Sequence, residues 1–142
     1  PAYGSMSAGA VGAVCIYDSM LRMDWRKDPS VADGLAWMDK NWSVTENLGP
    51  PETGTKTTKT WFLYYLYAVE RTGMLYDSQH IGSHDWYKEG ALHLLDSQRG
   101  DGAWDESEDL NATWETCFAI LFLKRATKPF EDVATPGGSK KK

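Results

Sequence analysis

Three long apolar runs alternate along this chain with two amphipathic stretches and several polar connections. Residues 4–21 carry Met6, Ala8, Ala10, Val11, Ala13, Val14, Cys15, Ile16, Tyr17 and Met20 on almost every side. That run is too long for a strand and predicts a helix packed on several flanks. Each of its glycines costs roughly 1 kcal/mol against alanine in a helix interior, so they are expected to serve close helix approach. A second run follows Thr60, from Trp61 to Val69 without a break, with Gly73 expected at its C-terminal cap. The third spans 113–123. Between them, Leu35, Ala36, Met38 and Trp42 form the apolar side of a helix capped by Asp28 or Ser30, and residues 86–98 form another.

The connections are polar. Residues 44–59, with Gly49-Pro50-Pro51, predict a long loop of the kind that is often functional, and 77–85 a shorter one. After Arg125 the chain is expected to be irregular because of Pro129 and Pro136. The predicted division is a helical repeat domain over 1–127 and an irregular C-terminal tail over 128–142.

A repeat underlies the runs. Ser7, Thr60 and Thr113 recur every 53 residues, each near the head of an apolar run, where a hydroxyl is expected to act as N-cap. Trp61 and Trp114 share that spacing, and the outer segments around Gly34 and Gly90 recur at a similar distance. A period of this length predicts stacked helical hairpins, an all-α fold of about five alternating inner and outer helices.

Composition narrows the function. With 42% hydrophobic residues in 142, the chain is long enough for one domain with a real core. A net charge of −5 without a basic stripe argues against a nucleic-acid partner, and Lys140, Lys141 and Lys142 read as a frayed end. No apolar run reaches membrane-spanning length. Cys15 and Cys117 are expected to be buried free thiols, with a disulfide or metal role left open.

The candidate chemistry lies at the heads of the inner helices, which would present Ser5, Ser7, Lys59, Thr60, Trp61, Tyr64, Thr113, Trp114 and Glu115. Rings beside a few polar groups suit an apolar or cationic ligand, and core packing accounts for them equally. Trp61, Tyr64, Trp114 and Glu115 are the candidate ligand set, and Glu115 is the candidate catalytic group. Asp105-Glu106-Ser107-Glu108-Asp109 is expected to be a solvated acidic loop before a helix N-terminus. Asp105, Ser107 and Asp109 have calcium-like spacing but lack the Gly and the later Glu of an EF-hand. His84-Asp85 reads as a helix-start pair and not as a dyad.

The run Lys88-Glu89-Gly90-Ala91 … Gln98-Arg99-Gly100-Asp101-Gly102-Ala103-Trp104 resembles the QW repeat of squalene and hopene cyclases, with Gln98, Gly102 and Trp104 at the matching spacing. The same turn is shared by the wider prenyltransferase and squalene-oxidase repeat group, and the resemblance implies an α/α toroid in which the Gln caps a helix end and the Trp stacks on it. Phrases such as Tyr64-Tyr65-Leu66-Tyr67-Ala68-Val69-Glu70-Arg71 and His84-Asp85-Trp86-Tyr87 are similar to repeat proteins of unassigned function from planctomycete-type bacteria. Cyclases of this group protonate substrate with an Asp of a DxDD run, and neither DxDD nor DDxxD occurs here. Their prenyltransferase relatives hold zinc through Asp-x-Cys at an inner-helix head and a His one repeat later. Glu115-Thr116-Cys117 occupies that place, with Glu for Asp, while His80, His84 and His93 all lie upstream. Glu115 and Cys117 are thus an incomplete set, and no metal or cofactor is expected.

A closed toroid needs more helix pairs than this chain supplies. The expectation is therefore a partial toroid, a C-terminal fragment of a larger one, or a chain whose open edge is covered by the remainder of the toroid, a second copy or a protein partner. The expected function is a non-catalytic repeat module binding a protein partner or hydrophobic ligand. The alternatives are the C-terminal part of an isoprenoid cyclase or prenyltransferase with its catalytic acid upstream, and a carbohydrate-active toroid using Glu115.

Overall fold

The computed structural model describes residues 3–48, 59–106 and 111–130. Gly49-Pro50-Pro51, the Ser107–Asp109 part of the acidic loop, and the tail beyond Phe130 with its three lysines lie outside the described residues.

Each apolar run and each amphipathic stretch becomes one helix. The runs give α1 (Gly4–Met20), α3 (Phe62–Tyr76) and α5 (Ala112–Leu123); the amphipathic stretches give α2 (Pro29–Lys40) and α4 (Trp86–Ser97). A single 3-10 turn, Trp25–Lys27, joins α1 to α2. Helix α3 lies between α1 and α5, α2 packs on α1, and α4 packs on α3 and α5. Chain order therefore alternates between a three-helix layer and two covering helices, and the described residues are all-α apart from one small hairpin.

The middle helix is the core. Phe62, Leu63, Leu66 and Val69 of α3 are buried against Ala8, Val11 and Cys15 of α1, Trp86 and Leu94 of α4, and Ala119 and Phe122 of α5. Burying a side chain of this size contributes roughly 2 kcal/mol, which explains why α3 tolerates so many β-branched and aromatic residues despite their modest helix propensity.

Both amphipathic helices, α2 and α4, start as their sequences predict. Asp28 Oδ1 accepts the Ser30 N–H at 2.7 Å and caps α2, with Pro29 in the first turn. Asp85 Oδ1 accepts the Lys88 N–H at 3.0 Å and caps α4, so His84-Asp85 is a helix start.

The apolar helices α1, α3 and α5 start differently from the hydroxyl caps expected. Ser7 lies inside α1, Thr60 precedes the α3 cap residue Trp61, and Thr113 is the second residue of α5. Asn111 caps α5 through its Oδ1, which accepts the Thr113 N–H at 2.8 Å. At α1 the service is remote: Asn47 Oδ1 accepts the Ser5 N–H at 2.9 Å, and Asn47 Nδ2 donates to Ser5 Oγ and the Thr60 carbonyl. One carboxamide thus ties the heads of α1 and α3 together. The close approach expected at the α1 glycines occurs at Gly4, where a Cβ would stand 3.0 Å from the Tyr65 ring of α3, and not at Gly9, which faces open space; Gly34 of α2 adds a second such contact, where a Cβ would overlap Val11.

Gly73 is not a cap. Helix α3 continues to Tyr76 and stops at Asp77, whose φ of 60° is left-handed, with the Ser78 N–H closing back on the Gly73 carbonyl at 3.0 Å. The loop expected over 77–85 contains a hairpin of β1 (His80–Ile81) and β2 (His84–Asp85), antiparallel with His80 opposite Asp85. Asp39 Oδ1 accepts from the Ser83 N–H and hydroxyl, which holds this hairpin to α2. Beyond α5 the described chain is irregular, as expected. There Thr127 donates its N–H and hydroxyl to the carboxylate of Glu70, a buried α3 residue that burial pushes above its ordinary value against those two bonds.

One of the two thiols differs from expectation. Cys15 is buried in the core and its pKa is pushed up to about 11 by burial and then by the charge of Asp18, but Cys117 is exposed. Its run is apolar all round, and one flank of α5 has no neighbour among the described residues. No described helix is long and apolar enough to cross a membrane.

Candidate functional site

Four elements meet where α5 begins, and they bring together groups that the sequence scatters over more than fifty positions. Glu106 is the hub. Both of its carboxylate oxygens lie 3.1 Å from His93 Nε2, Ser97 Oγ donates to Oε1 at 2.7 Å, and Lys59 Nζ stands 3.6 Å from Oε2. Spacing of four residues puts His93 and Ser97 on one face of α4. The Glu106 N–H donates to Oε2 of Glu115, which is fully buried in the first turn of α5. The His93 ring meets Phe62 of α3 edge-on at 5.2 Å.

This constellation differs from a nucleophile relay. In such a relay the serine donates to the imidazole, which becomes its base. Here Ser97 and His93 both address the same carboxylate, and the Ser97 hydroxyl donates to that carboxylate and not to the imidazole. Burial would push Glu106 up; the bonds from His93 and Ser97 and the charges of His93 and Lys59 outweigh it and hold the carboxyl below its ordinary value. A carboxylate held low and surrounded by donors is suited to structure and poorly suited to proton donation. Glu106 is therefore not part of a solvated loop: its side chain is only 7% exposed and fastens the connector to α4 and α5.

A carboxylate held low in the folded state stabilises the fold at pH values above its ordinary 4.5, and this contribution is lost as pH falls through the depressed value. Glu70, raised by burial, has the opposite sign and offsets part of it. Urea midpoints measured from about pH 6 to about pH 3 should therefore fall less steeply for Glu106→Gln than for the native chain, and parallel curves would remove Glu106 from the acid response.

The expected ligand set divides. Trp61 and Tyr64 contact edge-on at 6.1 Å, and Tyr64 and Tyr67 flank Phe118 of α5 at 5.5 and 5.6 Å, making an aromatic surface across α3 and α5. Trp114 is 63% exposed and has no ring contact among the described residues. Glu115 is buried beneath the connector. Ser5 belongs to the Asn47 cluster, and Lys59 to the Glu106 cluster. Glu115 and Cys117 differ in burial on the same helix, and no group of three His, Cys, Asp or Glu among the described residues is placed to hold a metal ion. His84 stacks on Trp42 at 4.8 Å, with Nδ1 3.3 Å from Glu89 and Nε2 3.8 Å from Asp39.

Gln98, Gly102 and Trp104 form a tight turn. Gln98 Nε2 donates to the Gly102 carbonyl at 2.9 Å, and Gly102 adopts φ 86°, which a side chain would resist. Buried Trp104 donates its indole N–H to the Leu94 carbonyl at 2.8 Å. Its backbone N–H donates to Thr116 Oγ1 at 3.1 Å.

Comparison with protein-family models, with curated proteins and with solved structures finds no match to this chain.

The Glu106 hub was not named from sequence because its partners come from α4 and from the residue before α3. The signal available was His93 and Ser97 at helical spacing, followed by an acidic run.

Proposed function

We propose that this chain is a non-catalytic helical-repeat module, a partial α/α toroid of the squalene-cyclase and prenyltransferase type, that docks apolar surface against the open flanks of its inner layer. The observation that carries this is a pair of exposed apolar stripes without a neighbour among the described residues. On α1, Met6, Ala10, Ala13, Tyr17 and Met20 follow at steps of three and four, all exposed, Met20 to 77%. On α5, Trp114, Cys117 and Ile120 do the same. Contiguous apolar surface of this kind marks an interaction site. Its occupant is the remainder of the toroid, a second copy or a protein partner. The saturated state of Glu106 supports a module without chemistry of its own.

The test is sedimentation of the native chain and a Tyr17→Glu/Ile120→Glu variant from about 1 to about 100 μM, beside binding of the dye ANS. The native chain should self-associate or bind the dye, and the variant should do neither while unfolding at the same temperature. A native monomer that ignores the dye would overturn the reading.

A second reading is favoured by the aromatic surface of Trp61, Tyr64, Tyr67 and Phe118. On it, the chain is the C-terminal part of an isoprenoid cyclase or prenyltransferase, and the same surface receives a hydrophobic ligand. Farnesol should then quench tryptophan fluorescence saturably in the native chain and in Tyr17→Glu/Ile120→Glu, but not in Trp61→Phe. Unsaturable quenching would exclude it.

A further inference from the structure

We propose that the corner formed by the end of α1, the 3-10 turn and the start of α2 is a binding site for a primary alkylammonium group, whose charge Asp18 receives while its methylene stem lies against Met23 and Pro29. The corner holds a cavity of about 310 Å³ lined by Asp18, Met23, Asp24, Lys27, Asp28 and Pro29. Three carboxylates line it against one ammonium, and two of the three are already engaged. Asp24 takes the Arg26 N–H and the Lys27 ammonium, the latter at 3.1 Å. Asp28 caps α2.

Asp18 differs from both. It is only 3% exposed, and its Oδ2 is buried with no hydrogen-bond partner among the described residues. A buried acceptor left unmade costs free energy on the order of 1–3 kcal/mol, more when charged. Position adds to this. Asp18 stands in the last turn of α1, where the helix dipole is negative and opposes a carboxylate, and that turn carries no basic residue. The same dipole favours a cation at this point.

The walls decide which cation. Met23 and Pro29 offer apolar surface, which suits an alkyl stem carrying its charge at the end. A divalent metal would need several free oxygens, and no described group of three acidic, His or Cys side chains is so placed. The Met23 N–H donates to the Asp18 carbonyl at 2.8 Å, fixing the rim against the helix end. The site is independent of the docking flanks proposed above. Its chemistry is that of a free alkylamine or of a lysine side chain on a partner.

The experiment is an amide and indole NMR titration of the whole chain with n-butylammonium chloride, with Ac-Gly-Lys-Gly-amide and with calcium chloride, against sodium chloride at matched ionic strength. Butylammonium should shift the amides of Asp18, Met23 and Lys27 saturably, with a dissociation constant on the order of millimolar. Asp18→Asn should weaken this about tenfold or more, because it removes the charge and keeps the shape. Met23→Lys, a change at an exposed position, should compete for the site and weaken binding without loss of fold. Tighter binding of the peptide than of butylammonium would identify a protein lysine as the source, and the reverse a free amine. Unsaturable shifts, equal shifts in Asp18→Asn, or saturation by calcium alone would overturn the proposal. So would a Trp25 indole N–H, also unpartnered among the described residues, found bonded to Asp18 and unmoved by amine.

Discussion

Trp104→Ala is expected to lower the unfolding free energy by about 4 kcal/mol, because it removes a buried indole and a helix-end hydrogen bond together. The ring is 4% exposed and belongs to the central cluster. Its N–H reaches the Leu94 carbonyl, one of the last four of α4, which have no partner within the helix. With the indole gone, that carbonyl is left inside without a donor, and the space cannot refill while Thr116 holds the Trp104 backbone. Trp104→Phe separates the two effects, since it keeps most of the volume and loses the donor, and should cost about 2 kcal/mol. Gln98→Ala, on an exposed side chain bonded among the described residues only within its own turn, should cost less than about 1 kcal/mol. By thermal denaturation, Trp104→Ala should fall by roughly 12 °C. A loss similar to that of Gln98→Ala would mean that the connector does not hold α4 to α5.

That ranking also explains how much of the fold could be read in advance. Helices α2 and α4 were legible because their signals are local: Asp28 and Asp85 stand immediately before amphipathic stretches and cap them. The heads of α1 and α3 were not, because Asn47 reaches Ser5 from 42 residues away. A hydroxyl at a repeating interval is a reasonable cap candidate, yet a cap depends on the geometry of the chain entering the helix, which the repeat does not specify. The hairpin escaped for another reason. Two-residue strands have no alternation to detect, and the pairing depends on Ser83 reaching Asp39 across the fold.

The site was legible in its residue types but not in its assembly. An apolar run shows that a helix will be buried somewhere, and not which of its flanks finds a neighbour. Cys15 and Cys117 stand in equally apolar runs, and only Cys15 is covered. The ring residues Trp61, Tyr64 and Trp114 were read as one set because they stand at the heads of apolar runs. In the structure Tyr64 is joined to Trp61 and Phe118, while Trp114 stands on the open flank. Glu106 was hidden inside an acidic run whose composition suggested solvent. Its burial arises from His93, Ser97 and Lys59 converging on it, a three-element contact that no single segment encodes.

Gly73→Ala should destabilise the chain by about 3 kcal/mol, the reverse of the usual gain of roughly 1 kcal/mol for this exchange inside a helix. A Cβ at Gly73 would fall on the Trp86 ring, 2.7 Å from Cζ2 and nearer still to Cε2 and Nε1. A flexible neighbour would move aside at little cost, but Trp86 is fixed on several sides. Its indole N–H donates to the Ser78 carbonyl at 2.8 Å, its ring stands perpendicular to Phe122 at 6.0 Å, and the Arg125 guanidinium lies 5.5 Å from it. Ser78 itself is held by its N–H to the Gly73 carbonyl, so the substituted residue and the ring it displaces are joined through one short loop. Either the indole loses its bond or α3 withdraws from α4. Trp86→Phe should therefore rescue part of the loss in the double variant, since the smaller ring vacates the volume the methyl needs, giving a favourable coupling of about 1 kcal/mol or more. Additive losses in this cycle, or a Gly73→Ala chain more stable than the native one, would return Gly73 to the helix-ending role suggested by its place in the sequence.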